Sequence, residues 1–141
     1  MRGMSTPKLD DKFRLTLPAQ FRAELTEEIT VVCELDNCLA VYPRAVMDKM
    51  MEPINQASPT IRRVREYQRW MQYRAEDASP DKQGRITLTA TQRAWAGLDR
   101  DVVVIGAGPR VEIWNPQRWE TYSPTLDEKF ENYDGNILEG V

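Results

Sequence analysis

Apolar positions along this chain follow two alternating periods, and each change of period marks a new element. Arg14-Leu15-Thr16-Leu17 alternates polar and apolar residues, as a half-buried strand does, directly after the turn-prone Asp10-Asp11-Lys12-Phe13. With residues 6–9 on the other flank, a β-hairpin or a closely related strand-loop-strand is expected. Pro18 suits a first helical turn, and Phe21, Ala23 and Leu25 give 18–25 an apolar side. Residues 29–35 are apolar and β-branched, Asp36-Asn37 is a turn, and 39–42 return as a strand. Pro43 opens a helix to about Met51. Ser58-Pro59 starts another, through about Arg74, in which Ile61, Val64, Tyr67 or Gln68, and Met71 recur at three- and four-residue spacing. Strands are expected again at 85–88, 101–105 and 111–114, with a short helix at 90–96 and a Gly106-Ala107-Gly108-Pro109 turn. Asn115-Pro116 supplies the N-cap and first residue of a helix over 117–122.

This order of elements occurs twice because the sequence is duplicated. Asp10-Asp11-Lys12-Phe13-Arg14-Leu15-Thr16-Leu17 returns 71 residues later as Asp81-Lys82-Gln83-Gly84-Arg85-Ile86-Thr87-Leu88, both of the form Asp-x-x-x-Arg-(Leu/Ile)-Thr-Leu. Residues 10–32 laid over 81–103 without a gap give nine identities, among them Arg22/Arg93. The echo then slips by one residue, with Leu39-Ala40-Val41-Tyr42 over Val111-Glu112-Ile113-Trp114, as hairpin loops of different length would cause. One domain spanning 1–141 and built from two related halves follows. Its parts are a first half at 6–52, an arginine-rich linking helix at 53–76, a second half at 77–122 and an acidic tail at 123–141.

Composition narrows the setting. A chain of 141 residues is long enough to bury a core without disulfides or metal. No apolar run approaches the ~20 residues of a bilayer span, and the N-terminus lacks the apolar core of a signal peptide, so a cytoplasmic protein with no membrane partner is expected. Cys33 and Cys38 have no companion ligands and read as structural thiols, and histidine is absent. No cofactor and no small-molecule substrate are expected. The net charge of −3 is unevenly spread: residues 120–141 hold −5, and residues 1–119 are +2. Within the latter, Arg62, Arg63, Arg65, Arg69 and Arg74 oppose only Glu66. Distribution outweighs the sum, since fields decay over roughly 10 Å at ordinary salt.

Several segments together resemble a known family. Leu9-Asp10-Asp11-Lys12, Arg14-Leu15-Thr16-Leu17-Pro18-Ala19, Phe21-Arg22 and Leu39-Ala40-Val41-Tyr42-Pro43 are similar to the MraZ family. So are Asp81-Lys82-Gln83-Gly84-Arg85-Ile86 and Glu112-Ile113-Trp114. The family comprises bacterial transcriptional regulators of the division and cell-wall gene cluster, and the resemblance covers about 6–119. It implies an α+β fold, a duplicated AbrB-like (SpoVT) swapped-hairpin β-barrel with short flanking helices. It also implies ring-shaped, octamer-like homo-oligomers that bind direct repeats in promoter double-stranded DNA, hence nucleoid association. Phe13 departs from the family's glycine between the lysine and arginine of the first loop, whereas Gly84 keeps it. A left-handed backbone there costs phenylalanine roughly 1 kcal/mol or more, so Phe13→Gly is expected not to destabilise the fold.

The repeated turn carries the chemistry. Lys12, Arg14, Lys82 and Arg85 put long cations on or beside two related tips and are the expected DNA-binding residues. Arginine offers a planar fork that matches guanine or phosphate, whereas lysine is a mobile point charge. Asp10 and Asp81 stand four residues before the arginines and are expected to organise the loops by accepting from amides or orienting a guanidinium. The competing reading is a surface ion pair of little consequence. Thr16 and Thr87 read as solvent-face strand residues, Arg22 and Arg93 as packing on the short helices, and Trp114 and Trp119 as core or interface. The arginine segment, with Tyr67, Trp70 and Tyr73, suits a subunit interface or inter-half brace better than a second DNA site. Asp10 and Asp81 would make an acid-base dyad only by converging in a shielded cleft, and their charged turns argue against an enzyme. An antitoxin-like AbrB-fold module with a protein partner is the alternative function.

Overall fold

The computed structural model describes residues 1–141. The first half contains β1 (Met4–Ser5), β2 (Arg14–Thr16), α1 (Ala19–Arg22), β3 (Ile29–Glu34), β4 (Cys38–Pro43) and α2 (Arg44–Gln56). Helix α3 (Arg62–Gln72) links it to β5 (Glu76–Ala78), β6 (Arg85–Thr87), α4 (Ala90–Ala96), β7 (Val103–Gly106), β8 (Val111–Trp114) and α5 (Pro116–Phe130). The β3–β4 hairpin turns through Asp36 and Asn37 at φ of 65° and 56°, a left-handed region these short polar residues tolerate.

All strand pairs are antiparallel, and the halves exchange strands. Six strands form a sheet in the order β1-β7-β8-β4-β3-β5, and β2 pairs only with β6. The entry strand of the first half, β1, lies on β7 of the second, while β5 lies on β3 of the first. The hairpins meet centrally, with Leu39 opposite Ile113 and Val41 opposite Val111. Residues 6–9 do not pair with 14–17 as a local hairpin. Instead the Leu9 amide donates to Arg100 O at 2.8 Å and the Val102 amide to Pro7 O at 3.1 Å. The expected closed barrel is not formed by these ladders. The β2–β6 ladder is three residues long and stands apart, and β1 and β5 end the larger sheet as free edges.

Both faces of the central strands are covered, which is why 29–35 and 39–42 read as near-continuous apolar runs. One face, with Val31, Cys33, Leu39, Val41, Val104, Val111 and Ile113, closes on Leu15, Leu17 and Phe21 and on Ile86 and Leu88 from under the β2–β6 ribbon. The other carries Val32, Ala40 and Tyr42 against Met47 and Met51 of α2 and Met71 of α3. Cys38, Val103 and Trp114 meet Trp119 and Tyr122 of α5, with the Trp114 and Tyr122 rings stacked at 5.1 Å.

Two helices run further than their sequence expectation of ends near Met51 and Tyr122. Helix α2 continues through Pro53 to Gln56, and α5 through Pro124 to Phe130. Each proline removes one backbone donor without stopping its helix. Helix α1 is only four residues long and lacks a side-chain cap, whereas its counterpart α4 has a Thr89/Gln92 capping box and ends on Gly97 at φ 63°. Helix α3 begins at Arg62 rather than Ser58.

Candidate nucleic-acid interface

Each repeated loop is organised around one aspartate. Asp10 Oδ1 accepts from the amides of Lys12 and Arg14, both at 2.9 Å, and Oδ2 accepts from Arg14 Nε at 2.6 Å. Asp81 repeats the pattern with the amides of Gln83 and Arg85, both at 2.9 Å, and with Arg85 Nε at 2.7 Å. The backbone adds Phe13 N to Asp10 O and Gly84 N to Asp81 O, each at 2.9 Å. Hydrogen bonds, first those from the Arg14 and Arg85 amides, hold each carboxyl below its ordinary value of 3.8 against a partial desolvation cost. A proton-sharing dyad needs one of its acids raised, so two lowered acids, each saturated by its own loop, do not make one.

Because only Nε of each arginine is engaged, both terminal guanidinium nitrogens of Arg14 and Arg85 are left without a partner in the protein. Lys12 and Lys82 are exposed and form no ion pair. The ribbon sets these groups in a fixed relation. Arg14 lies opposite Thr87, Thr16 opposite Arg85, and Leu15 opposite Ile86. Alternation along a strand therefore puts Arg14, Thr16, Arg85 and Thr87 on the outer face and Leu15 and Ile86 in the core. The two arginines sit diagonally, displaced along the ribbon by two residues, or about 7 Å. Each tip is tied to the other half's strand: the Leu17 amide donates to Gly84 O at 2.8 Å and the Leu88 amide to Phe13 O at 3.0 Å. The threonines thus share the arginine face, on the solvent side expected from the alternation of the strand.

Phe13 occupies the left-handed region at φ 59°, as Gly84 does at 74°. Its ring carries the Arg93 guanidinium at 3.5 Å from the centroid. Arg22 takes the corresponding place at the other loop, where a Cβ added to Gly84 would lie 3.0 Å from Arg22 Nε. Both arginines also donate from Nε to the first carbonyl after the preceding strand, Arg22 to Leu17 O at 2.8 Å and Arg93 to Leu88 O at 3.3 Å. Packing on their own short helices is the sequence expectation, whereas each reaches across to the loop of the opposite half.

In the linking segment, Val64, Gln68 and Met71 face inward while Tyr67 is exposed, so Gln68 rather than Tyr67 completes the inner face. The Arg74 guanidinium stacks on Trp95 at 4.4 Å, and Trp95 Nε1 donates to Glu34 O and Cys38 O at 3.0 and 3.1 Å. Arg62, Arg63 and Arg69 are exposed. The cysteines lie in separate parts of the core, and burial raises both thiols.

A duplicated α+β chain that displays two aspartate-held arginines on one short solvent-facing ribbon, with an exposed lysine in each adjoining loop, defines the class. A sequence model of the family described as "MraZ protein, putative antitoxin-like" matches residues 1–70 and again 71–138. The Transcriptional regulator MraZ of Frankia alni is 45% identical over 139 residues, covering 99% of this chain and 97% of that protein. The proteins of the same name from Micrococcus luteus and Kineococcus radiotolerans are 43% and 42% identical with the same coverage. The chain belongs to the MraZ family.

Proposed function

We propose that this chain is a sequence-specific DNA-binding transcriptional regulator that reads promoter DNA with the β2–β6 ribbon. The observation that carries the proposal is the pair of matching loops, in which an aspartate grips Nε of Arg14 or Arg85 and leaves both terminal guanidinium nitrogens without a protein partner. A two-stranded ribbon fits a major groove about 12 Å wide, and a free fork matches guanine O6 and N7 or a phosphate. Lys12 and Lys82 add mobile charge, and Asp10 and Asp81 set the loops. The names carried by the relatives support the regulatory role.

One ribbon contacts only a few base pairs, so a single subunit binds weakly. We infer a ring-shaped, octamer-like homo-oligomer on direct repeats upstream of its own division and cell-wall genes, with avidity raised by ~10²–10⁴ when spacing matches. Nucleoid association follows from such binding. No helix is long and apolar enough to cross a membrane. The exchange of β1, β2, β5 and β6 between halves supports kinship with AbrB-like (SpoVT) swapped-hairpin folds, with halves at 6–52 and 77–122, the link at 53–76 and a tail from 123.

The test is fluorescence anisotropy on DNA from upstream of the gene beside a scrambled duplex of equal length. Tight, salt-sensitive binding to the native duplex alone is expected. Arg14→Ala and Arg85→Ala each lower that affinity without changing oligomer size, because alanine keeps the amide that Asp10 or Asp81 holds. Wild-type affinity in both variants removes these residues from the interface. The family description also names antitoxin-like proteins, and equal weak binding to both duplexes would favour that protein-binding role.

A further inference from the structure

Arg100 contacts the first loop by pairing with Asp11 at 3.3 Å, whereas Arg22 and Arg93 lie against the loops with no carboxylate partner and, like Arg14 and Arg85, are tied through Nε. Each is tied through Nε alone, to Leu17 O or Leu88 O, and neither forms an ion pair with a carboxylate. Their terminal nitrogens therefore have no partner in the protein, yet their direction is fixed. An arginine that only packs on its own four- or seven-residue helix needs no contact with the opposite half. Here Arg22 abuts Gly84, and Arg93 lies on the ring of Phe13. Each loop thereby gains a third cation from the other repeat: Arg93 joins Lys12 and Arg14, and Arg22 joins Lys82 and Arg85.

We propose that Arg22 and Arg93 grip DNA phosphates at the two rims of the groove entered by the ribbon, with Phe13 as the platform that fixes Arg93. The proposal rests on the DNA-reading function above. The arginines of the ribbon face are placed for base edges. A fork set beside the ribbon, behind the loop, meets the sugar-phosphate walls, which position a protein without carrying sequence information. The two rims are held differently. Glycine at position 84 lets Arg22 lie on the loop backbone, while Phe13 interposes an aromatic face and the Arg93 bond to its carbonyl is longer by half an ångström. The left-handed phenylalanine, otherwise only a backbone cost, acquires a use.

The experiment measures affinity against salt for full-length wild type, Arg22→Ala, Arg93→Ala and the double variant, on native and scrambled duplexes, with melting temperature and oligomer size alongside. Each lost phosphate contact should flatten the slope of log affinity against log salt by about 0.9 per loop engaged. Affinity for both duplexes should fall by the same factor, leaving their ratio unchanged, and Arg22→Lys and Arg93→Lys should restore the slope. A wild-type slope in the double variant, with or without a lower melting temperature, would overturn the proposal and leave the arginines as packing residues. A fall in the native-to-scrambled ratio would also overturn it, since the residues would then read bases. Should wild type itself bind both duplexes equally weakly, the DNA-reading function fails and this proposal with it.

Discussion

Phe13 and Gly84 occupy equivalent positions and meet the same backbone demand with opposite side chains. The left-handed conformation at φ 59° costs a non-glycine residue roughly 1–2 kcal/mol, while a cation-π contact at an exposed site returns roughly 0.5–1 kcal/mol. These nearly cancel, so Phe13→Gly should melt at the wild-type temperature or slightly above it. A clear fall in thermal denaturation would mean that the ring is worth more than the strain it imposes. Residue-level divergence also marks the core. Phe21 and Gln92 are counterparts and both are fully buried, one as an apolar plug and the other as half of a capping box that also donates to Val31 O at 3.4 Å. Such divergence shows how little identity the duplication has to preserve provided that each site remains filled and satisfied.

Among the elements, the β2–β6 ribbon shows most clearly what the sequence could and could not say. The alternation in Arg14-Leu15-Thr16-Leu17 announced a strand with one buried face, and the duplication announced its partner loop. The pattern did not say that these strands pair with each other across the halves rather than with residues 6–9, because alternation defines faces and not neighbours. The loop chemistry was legible in the aspartate-to-arginine spacing, while the inter-half reach of Arg22 and Arg93 was not, since no local spacing encodes it. Helices α2 and α5 outrun the ends expected near Met51 and Tyr122, passing through Pro53 and Pro124 at the loss of one backbone donor each. The ribbon also makes a direct prediction. Leu15 is fully buried beneath it, so Leu15→Ala should lower unfolding free energy by about 2–5 kcal/mol in a urea titration. Thr16→Ala, on the outer face, should stay within about 0.5 kcal/mol.

Across the whole molecule, charge is divided between a cationic ribbon and an acidic end. Residues 131–141 are exposed at every position and carry Glu131, Asp134 and Glu139 with no base, so removing them takes the net charge from −3 to 0. That truncation should tighten binding to a scrambled duplex at low salt. The gain should vanish near 1 M, where the screening length is about 3 Å, and an unchanged anisotropy titration at low salt would show the tail to be electrostatically idle. The exchange of strands governs how such a chain comes into being. Strands β2 and β3 cannot complete their pairings until β5 and β6 have been made. At about 5–20 residues per second, the roughly 70 intervening residues leave the nascent first half open at the ribosome for about 4–14 s. During that wait its unpaired edges can be satisfied by an identical nascent neighbour, so crowded polysomes would favour intertwined dimers over the self-closed chain.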